Sequence, residues 1–143
     1  MTVVREARPA DLPRLRAVRA ASLRETPPLL LDVAVRGVGI VLVGTVPGIT
    51  EPVGYALTMR DGERAVAYLA ELAVAPDHRR RGHGSALLSA VLDRLADHEW
   101  IRLTTRADDD RARTFYEAAG FERLERLPYH YADADGVLYG RRL

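Results

Sequence analysis

The run from Arg64 to Arg106 constrains the fold more than any other part of the chain. It opens with "RAVAYLAELAV" (64–74) and closes with "WIRLTTR" (100–106), two strand-like stretches. Between them Leu87, Leu88, Val91, Leu92 and Leu95 recur at helical spacing, an apolar stripe suited to packing on a sheet. A strand-helix-strand unit of this kind is a crossover, and crossovers join parallel strands. The two strands are therefore expected to run parallel in the middle of a sheet.

The flanking sequence adds mainly antiparallel elements. "TVVREA" (2–7) reads as a strand. A helix opening at Pro9 follows, with Leu12, Leu15, Val18, Ala21 and Ser22 on one stripe. Pro27 and Pro28 end it, and Leu29 to Val35 suit a short second helix. "GIVLVGTV" (39–46) and "EPVGYALTMR" (51–60) form a hairpin around a Pro/Gly loop, and "DGE" (61–63) is a further turn. After the crossover, "DDDRARTFYEAAG" reads as a short helix with Asp108 as N-cap and Gly120 as its stop. "FERLERL" (121–127) and "GVLYGRRL" (136–143) are the last strands. The expectation is one α/β domain over residues 1–143: a mixed, mostly antiparallel sheet with a central parallel pair and flanking helices.

Composition excludes several kinds of chemistry. The chain has 143 residues, 48% hydrophobic and 29% charged, with a net charge of +1, which argues against a nucleic-acid-coating protein. Cysteine is absent, so thiolate nucleophiles and disulfides are ruled out. Four histidines without an HExxH pair give no zinc signature, and no metal is expected. All 21 basic residues are arginine, so neither a Schiff-base lysine nor a Walker lysine is available. No apolar run reaches the ~20 residues of a membrane span, and the N-terminus lacks a signal-peptide core. A cytoplasmic location, with no membrane or nucleic-acid partner, is the expectation.

The segment joining the central strand to the crossover helix is "APDHRRRGHGSALL". The first amides of a helix lack intrahelical partners and carry the positive end of its dipole. Gly82 and Gly84 let the backbone turn sharply and approach an anion, while Arg79, Arg80 and Arg81 supply charge. Together these parts make a pyrophosphate cradle. A Walker loop fails for want of lysine, and a dinucleotide fingerprint fails because Leu87 stands where its third glycine belongs. The plain alternative is a basic connection with an incidental GxG.

"VAPDHRRRGHGSALL" (74–88) resembles the acetyl-CoA-binding motif of the GNAT superfamily of N-acyltransferases, [QR]-x-x-G-x-[GA] after a strand ending in a V-x-P-like turn. "TFYEAAGFE" (114–122) is similar to the family's xLYExxGF segment, and the two blocks fall in the family's order and spacing. The resemblance is strong over 64–122 and weak over the first 60 residues. It implies a GNAT-type fold with splayed central strands, and acetyl transfer from acetyl-CoA, as co-substrate, to a primary amine by direct attack on the thioester. It further implies that the backbone of Leu72, Ala73 and Val74 holds the pantetheine arm, and that Arg79, Arg80, Arg81, Gly82, His83, Gly84 and Ser85 contact the pyrophosphate. His83 is read as a surface residue contributing its amide.

Tyr116 takes the place of the family's tyrosine that protonates the departing thiolate; otherwise it is a buried aromatic anchor. Glu71, at the end of the central strand, is the candidate base or end of a water relay; otherwise it pairs with an arginine at the sheet edge. Where the N-terminal-amine branch carries a glutamate and an asparagine, this chain has Thr104 and Asp109. Asp109 is nonetheless carried over to the cofactor-binding set. Asp108, Asp109 and Asp110 read as a helix-start charge cluster rather than a cation site. Tyr129, His130 and Tyr131 are candidate acceptor contacts, or else pack a hairpin. The short helical region before the second strand leaves either an open groove for a peptide or small amine, or a wall completed in a homodimer. The competing class is a non-catalytic acyl-CoA-binding sensor or scaffold.

Overall fold

The computed structural model describes residues 1–23, 28–61 and 65–143. In chain order the elements are β1 (Val3–Glu6), α1 (Leu12–Ser22), α2 (Pro28–Val33), β2 (Ile40–Val46), β3 (Ile49–Asp61), β4 (Val66–Val74), α3 (His83–Arg94), β5 (Trp100–Arg106), α4 (Asp110–Ala118), β6 (Glu122–Tyr131) and β7 (Ala134–Arg142). The strands form a mixed seven-stranded sheet of order β1-β2-β3-β4-β5-β7-β6. The break expected at Pro27 and most of the turn expected at 61–63 lie outside the described residues. No described helix is long and apolar enough to cross a membrane.

By compactness the chain groups into two units, residues 1–60 with 69–96 and residues 61–68 with 97–143. In the first, the α1 stripe is seen as expected at Leu12, Leu15 and Val18, which are buried, whereas Ala21 is exposed. These residues share a core with Leu31, Val41, Val43, Tyr55, Leu57 and Ala73. A 3-10 turn, Pro9–Asp11, precedes α1. The Asp11 carboxylate fixes that turn by accepting the Arg8 amide at 2.8 Å and the Arg5 guanidinium at 2.8 and 2.9 Å. After α2 the chain makes a π-helical turn, Ala34–Val38, that ends through Gly37 at a φ of 115°. The β2–β3 hairpin is antiparallel and closes at Val46↔Ile49, so β3 starts two residues before the expected position 51.

In the second unit the parallel pair takes the register Val66↔Trp100, Ala67↔Ile101 and Tyr68↔Arg102. β4 runs on six residues past Tyr68, to Val74. β7 pairs antiparallel with both β5 and β6. The β6–β7 hairpin extends beyond the expected 127 and 136, because a register shift between Leu127 and Tyr131 absorbs "PYHY" into the strand. Tyr129 occupies that irregularity with a φ of 55°.

Candidate active site

The loop before α3 has the form that its glycines suggest. Gly82 stands at the N-cap of α3 in the left-handed conformation, φ 86°, and no side chain caps the helix. A Cβ at Gly82 would meet nothing within 4 Å, so glycine is required there by conformation rather than crowding. The first helical bond in this turn runs from Ala86 N–H to Gly82 C=O at 3.0 Å. The amides of His83, Gly84 and Ser85 thus lie at the positive end of a 12-residue helix with no side-chain acceptor. Arg80 and Arg81 flank them on the exposed side, Arg80 at a φ of 62°. This donor set, with its side-chain-free turn, fits a pyrophosphate.

Two residues of the expected cradle have other occupations. The Arg79 guanidinium turns back, donating to Val74 C=O at 3.1 Å and to Ser22 Oγ at 2.9 Å. It ties the end of β4 to the end of α1. His83 is a correction to its reading as a surface residue: it is 5% exposed, and its Nδ1 lies 2.7 Å from Thr2 Oγ1. As the first residue of α3, its side chain folds back onto β1 rather than outward. Burial chiefly, with the charges of His78 and Arg81 adding, lowers its pKa, so the ring stays neutral.

β4 alternates, with Ala67, Leu69, Glu71 and Ala73 buried. That parity carries Glu71 inward rather than to an open groove. Its carboxylate accepts the Tyr55 hydroxyl at 2.7 Å and the Arg19 Nε–H at 3.5 Å, and its side chain has 0% exposure. Burial first, and then the Glu71 charge, push the Tyr55 phenol far above its ordinary range. Tyr55 therefore stays a donor. Of the backbone expected along the pantetheine, Val74 C=O is already engaged by Arg79 and Ser22.

In the second unit, Asp109, not Asp108, caps α4: its carboxylate accepts the Ala112 amide at 3.0 Å. Asp108 instead pairs with Arg106 at 3.0 Å. Arg106 claims Asp108 because a strand-end guanidinium lies two residues away, leaving the next aspartate free for the cap. Asp109 and Asp110 are the negative charges expected at a helix start. Among the described residues no group of acidic or histidine side chains is arranged to hold a metal ion.

Tyr116 lies half-buried on α4, its ring edge-on to Phe115 at 5.1 Å and to Phe121 at 5.6 Å. Its hydroxyl has no hydrogen-bond partner among the described residues. Burial foremost, and then the Asp109 charge, raise its pKa, so it is a protonated donor across the neutral range. Thr104 accepts the Tyr68 hydroxyl at 2.9 Å. Tyr129 is 91% exposed, and its amide is held by Asp135 at 2.9 Å. His130 and Tyr131 pack edge-on at 4.8 Å, and Arg106 lies over the Tyr131 ring at 5.6 Å. Of the three aromatic candidates, Tyr129 and His130 are exposed and Tyr131 is half-buried.

Sequence reasoning missed Tyr139. Its buried hydroxyl receives the Arg113 Nε–H at 3.0 Å and donates to Glu117 at 2.5 Å. The four-residue spacing of Arg113 and Glu117 was a visible signal; the partner on the last strand was not.

The described strands thus form one mixed sheet, and its crossover helix starts on a glycine turn without a side-chain cap. The sequence profile of the acetyltransferase (GNAT) family matches residues 14–121, and the chain belongs to that family. It is 43% identical over 77 residues to a mycothiol acetyltransferase of Saccharomonospora viridis, covering 54% of this chain and 24% of that protein. The chain thus spans about a quarter of that relative's length. Among solved structures, Ard1 from Thermoplasma volcanium is 30% identical, with a TM-score of 0.86 over 99% of this chain and 97% of that one. Arabidopsis thaliana NAA60 in complex with acetyl-CoA shares the fold at 18% identity, with a TM-score of 0.88 over 100% and 99% of the two chains.

Proposed function

We propose that this chain binds acetyl-CoA and transfers its acetyl group to a primary amine of a small molecule or peptide. The observation that carries the reading is the uncapped start of α3, where Gly82 and Gly84 lack a Cβ, beside Arg80 and Arg81. The pyrophosphate of CoA is held by the amides of His83, Gly84 and Ser85 and by Arg80 and Arg81. Arg79 acts from behind, bracing Val74. CoA supplies the activated thioester; the protein's residues position it and move protons.

The neutral amine nitrogen attacks the thioester carbonyl carbon, the C–S bond breaks, and the electron pair leaves on sulfur. Tyr116 gives its phenolic proton to that sulfur, which its raised pKa and free hydroxyl favour. The Glu71 carboxylate, fully buried against Tyr55 and Arg19, receives the ammonium proton at the end of a relay rather than by direct contact. Tyr129, an exposed aromatic of β6, contacts the acceptor. In this reading the protein works in the cytoplasm.

Acetyl-CoA at about 100 times its Kd is expected to add ~2.7 kcal/mol to folded-state stability, read as a rise in Tm. No rise at saturating acetyl-CoA would defeat the reading. With binding established, amines, peptides, polyamines and aminoglycosides are screened by free-thiol release. Tyr116→Phe should lower kcat by about 10²–10⁴ with little change in KM for acetyl-CoA. Binding without thiol release to any amine would instead mark a CoA-binding module.

A further inference from the structure

α4 is only nine residues long and has no fully buried side chain, too little apolar burial to seat itself. Polar bonds hold its ends: the Asp109 cap at the start, and Arg141 donating to Ala119 C=O at 3.0 Å at the finish. Neither end contact sets the roll of the helix about its axis. The Tyr139 hydroxyl does, since it joins Arg113 and Glu117, one turn apart on one face. Tyr139 itself is fully buried on β7, paired with Leu103 of β5 and Arg123 of β6.

We propose that Tyr139 is a positioning residue, whose hydroxyl clamps α4 through Arg113 and Glu117 and so aims the Tyr116 phenol. The inference rests on the reading of Tyr116 as proton donor. Tyr116 precedes Glu117 by one residue and so sits about 100° around the helix. Its hydroxyl has no partner of its own, so packing on Phe115 and Phe121 and the roll of α4 decide where it points. A roll of about 10° moves an atom ~6 Å from the helix axis by about 1 Å. A misplacement of that size costs about 10²-fold in rate. Arg113 also donates to Ala107 C=O at 3.2 Å, so the clamp reaches the turn that launches the helix. Without the phenol hydroxyl, the bridge that joins Arg113 and Glu117 to β7 is gone, and a direct pair between them runs in the less favourable order along a helix.

A double-mutant cycle tests the clamp, using acetyl-CoA and the fastest amine of the screen. Tyr139→Phe should lower kcat about 10- to 100-fold and leave KM for acetyl-CoA within about twofold. In a Tyr116→Phe background it should lower kcat no further than about twofold. Glu117→Gln, which keeps an acceptor oxygen for the Tyr139 hydroxyl, should retain most activity, and Glu117→Leu should match Tyr139→Phe. Amide hydrogen exchange in the free protein gives an activity-independent readout. In Tyr139→Phe, exchange should accelerate about tenfold over 110–118 and stay unchanged in β7.

Unchanged exchange in α4, or rate losses that multiply across the cycle, would overturn the clamp. If Tyr116→Phe alone leaves turnover intact, the proton-donor reading fails and the aiming of Tyr116 has no catalytic meaning. The exchange result then still decides whether Tyr139 holds the helix. An intact donor with a silent Tyr139→Phe defeats the clamp alone.

Discussion

α3 and α4 solve the same problem, placing a helix against the sheet of its own unit, by opposite means. α3 buries Leu87, Leu88 and Val91, with Leu95 buried at its C-cap, and has no N-terminal side-chain cap, so its seat is hydrophobic and its first amides stay available. α4 buries no side chain fully and is held by Asp109 at its start, Tyr139 at its middle and Arg141 at its end. Hydrophobic burial is non-directional and leaves polar ends free for a ligand. Hydrogen bonds are directional and specify a roll. On the proposed roles, the first solution suits a helix that offers backbone to an anion, and the second suits one that aims a single hydroxyl.

The largest expected effect tests the burial half of that contrast. Leu87→Ala should cost about 2–5 kcal/mol in a denaturant titration. The folded fraction should keep its acetyl-CoA affinity, and a large rise in Kd would mean that the α3 stripe also shapes the cradle. Gly82→Ala comes next. Its left-handed backbone should cost about 1–2 kcal/mol and shrink the thermal shift given by acetyl-CoA. A stabilised variant would show that the turn relaxes freely.

Removing the α4 cap by Asp109→Ala should cost about 1 kcal/mol, read by Tm. It should also bring the Tyr116 pKa down, because a raising charge is lost. An unchanged Tm would mean that Tyr139 and Arg141 suffice to hold the helix. The smallest effect concerns His83, whose lowered pKa lets the unfolded chain take the proton first. Stability should therefore rise with pH up to the ordinary histidine value near 6.5 and level off above it. His83→Asn should flatten that slope in melting curves between about pH 5 and 7.5; an undiminished slope would assign it to another group.

Much of the first unit was readable because its signals are local. The α3 stripe, the glycine turn and the β2–β3 hairpin each depend on residues within a few positions of one another, and each was found, the hairpin with its second strand starting two residues early. The parallel pair followed from one handed crossover. Local signals fell short where equivalent candidates competed. Three successive aspartates could each cap α4, and the choice of Asp109 followed from Arg106 taking Asp108. "PYHY" carries a proline and a strained Tyr129, yet pairing with β7 drew it into a strand.

What the sequence determined alone was the scaffold: period-2 strands, a 3.6-period crossover helix, and glycines at that helix's start. What only the tertiary structure decided was the direction and partner of each polar side chain. Glu71 turned inward because strand parity set it on the buried side, where Tyr55 and Arg19 converge on it from residues 16 and 52 positions away. Arg79 reached Val74 and Ser22, and Tyr139 found Arg113 and Glu117 across 26 and 22 residues. The physical reason is the range of the forces. Backbone conformation and hydrophobic period are written within a few residues, whereas a buried hydrogen bond exists only after packing brings distant partners within about 3 Å.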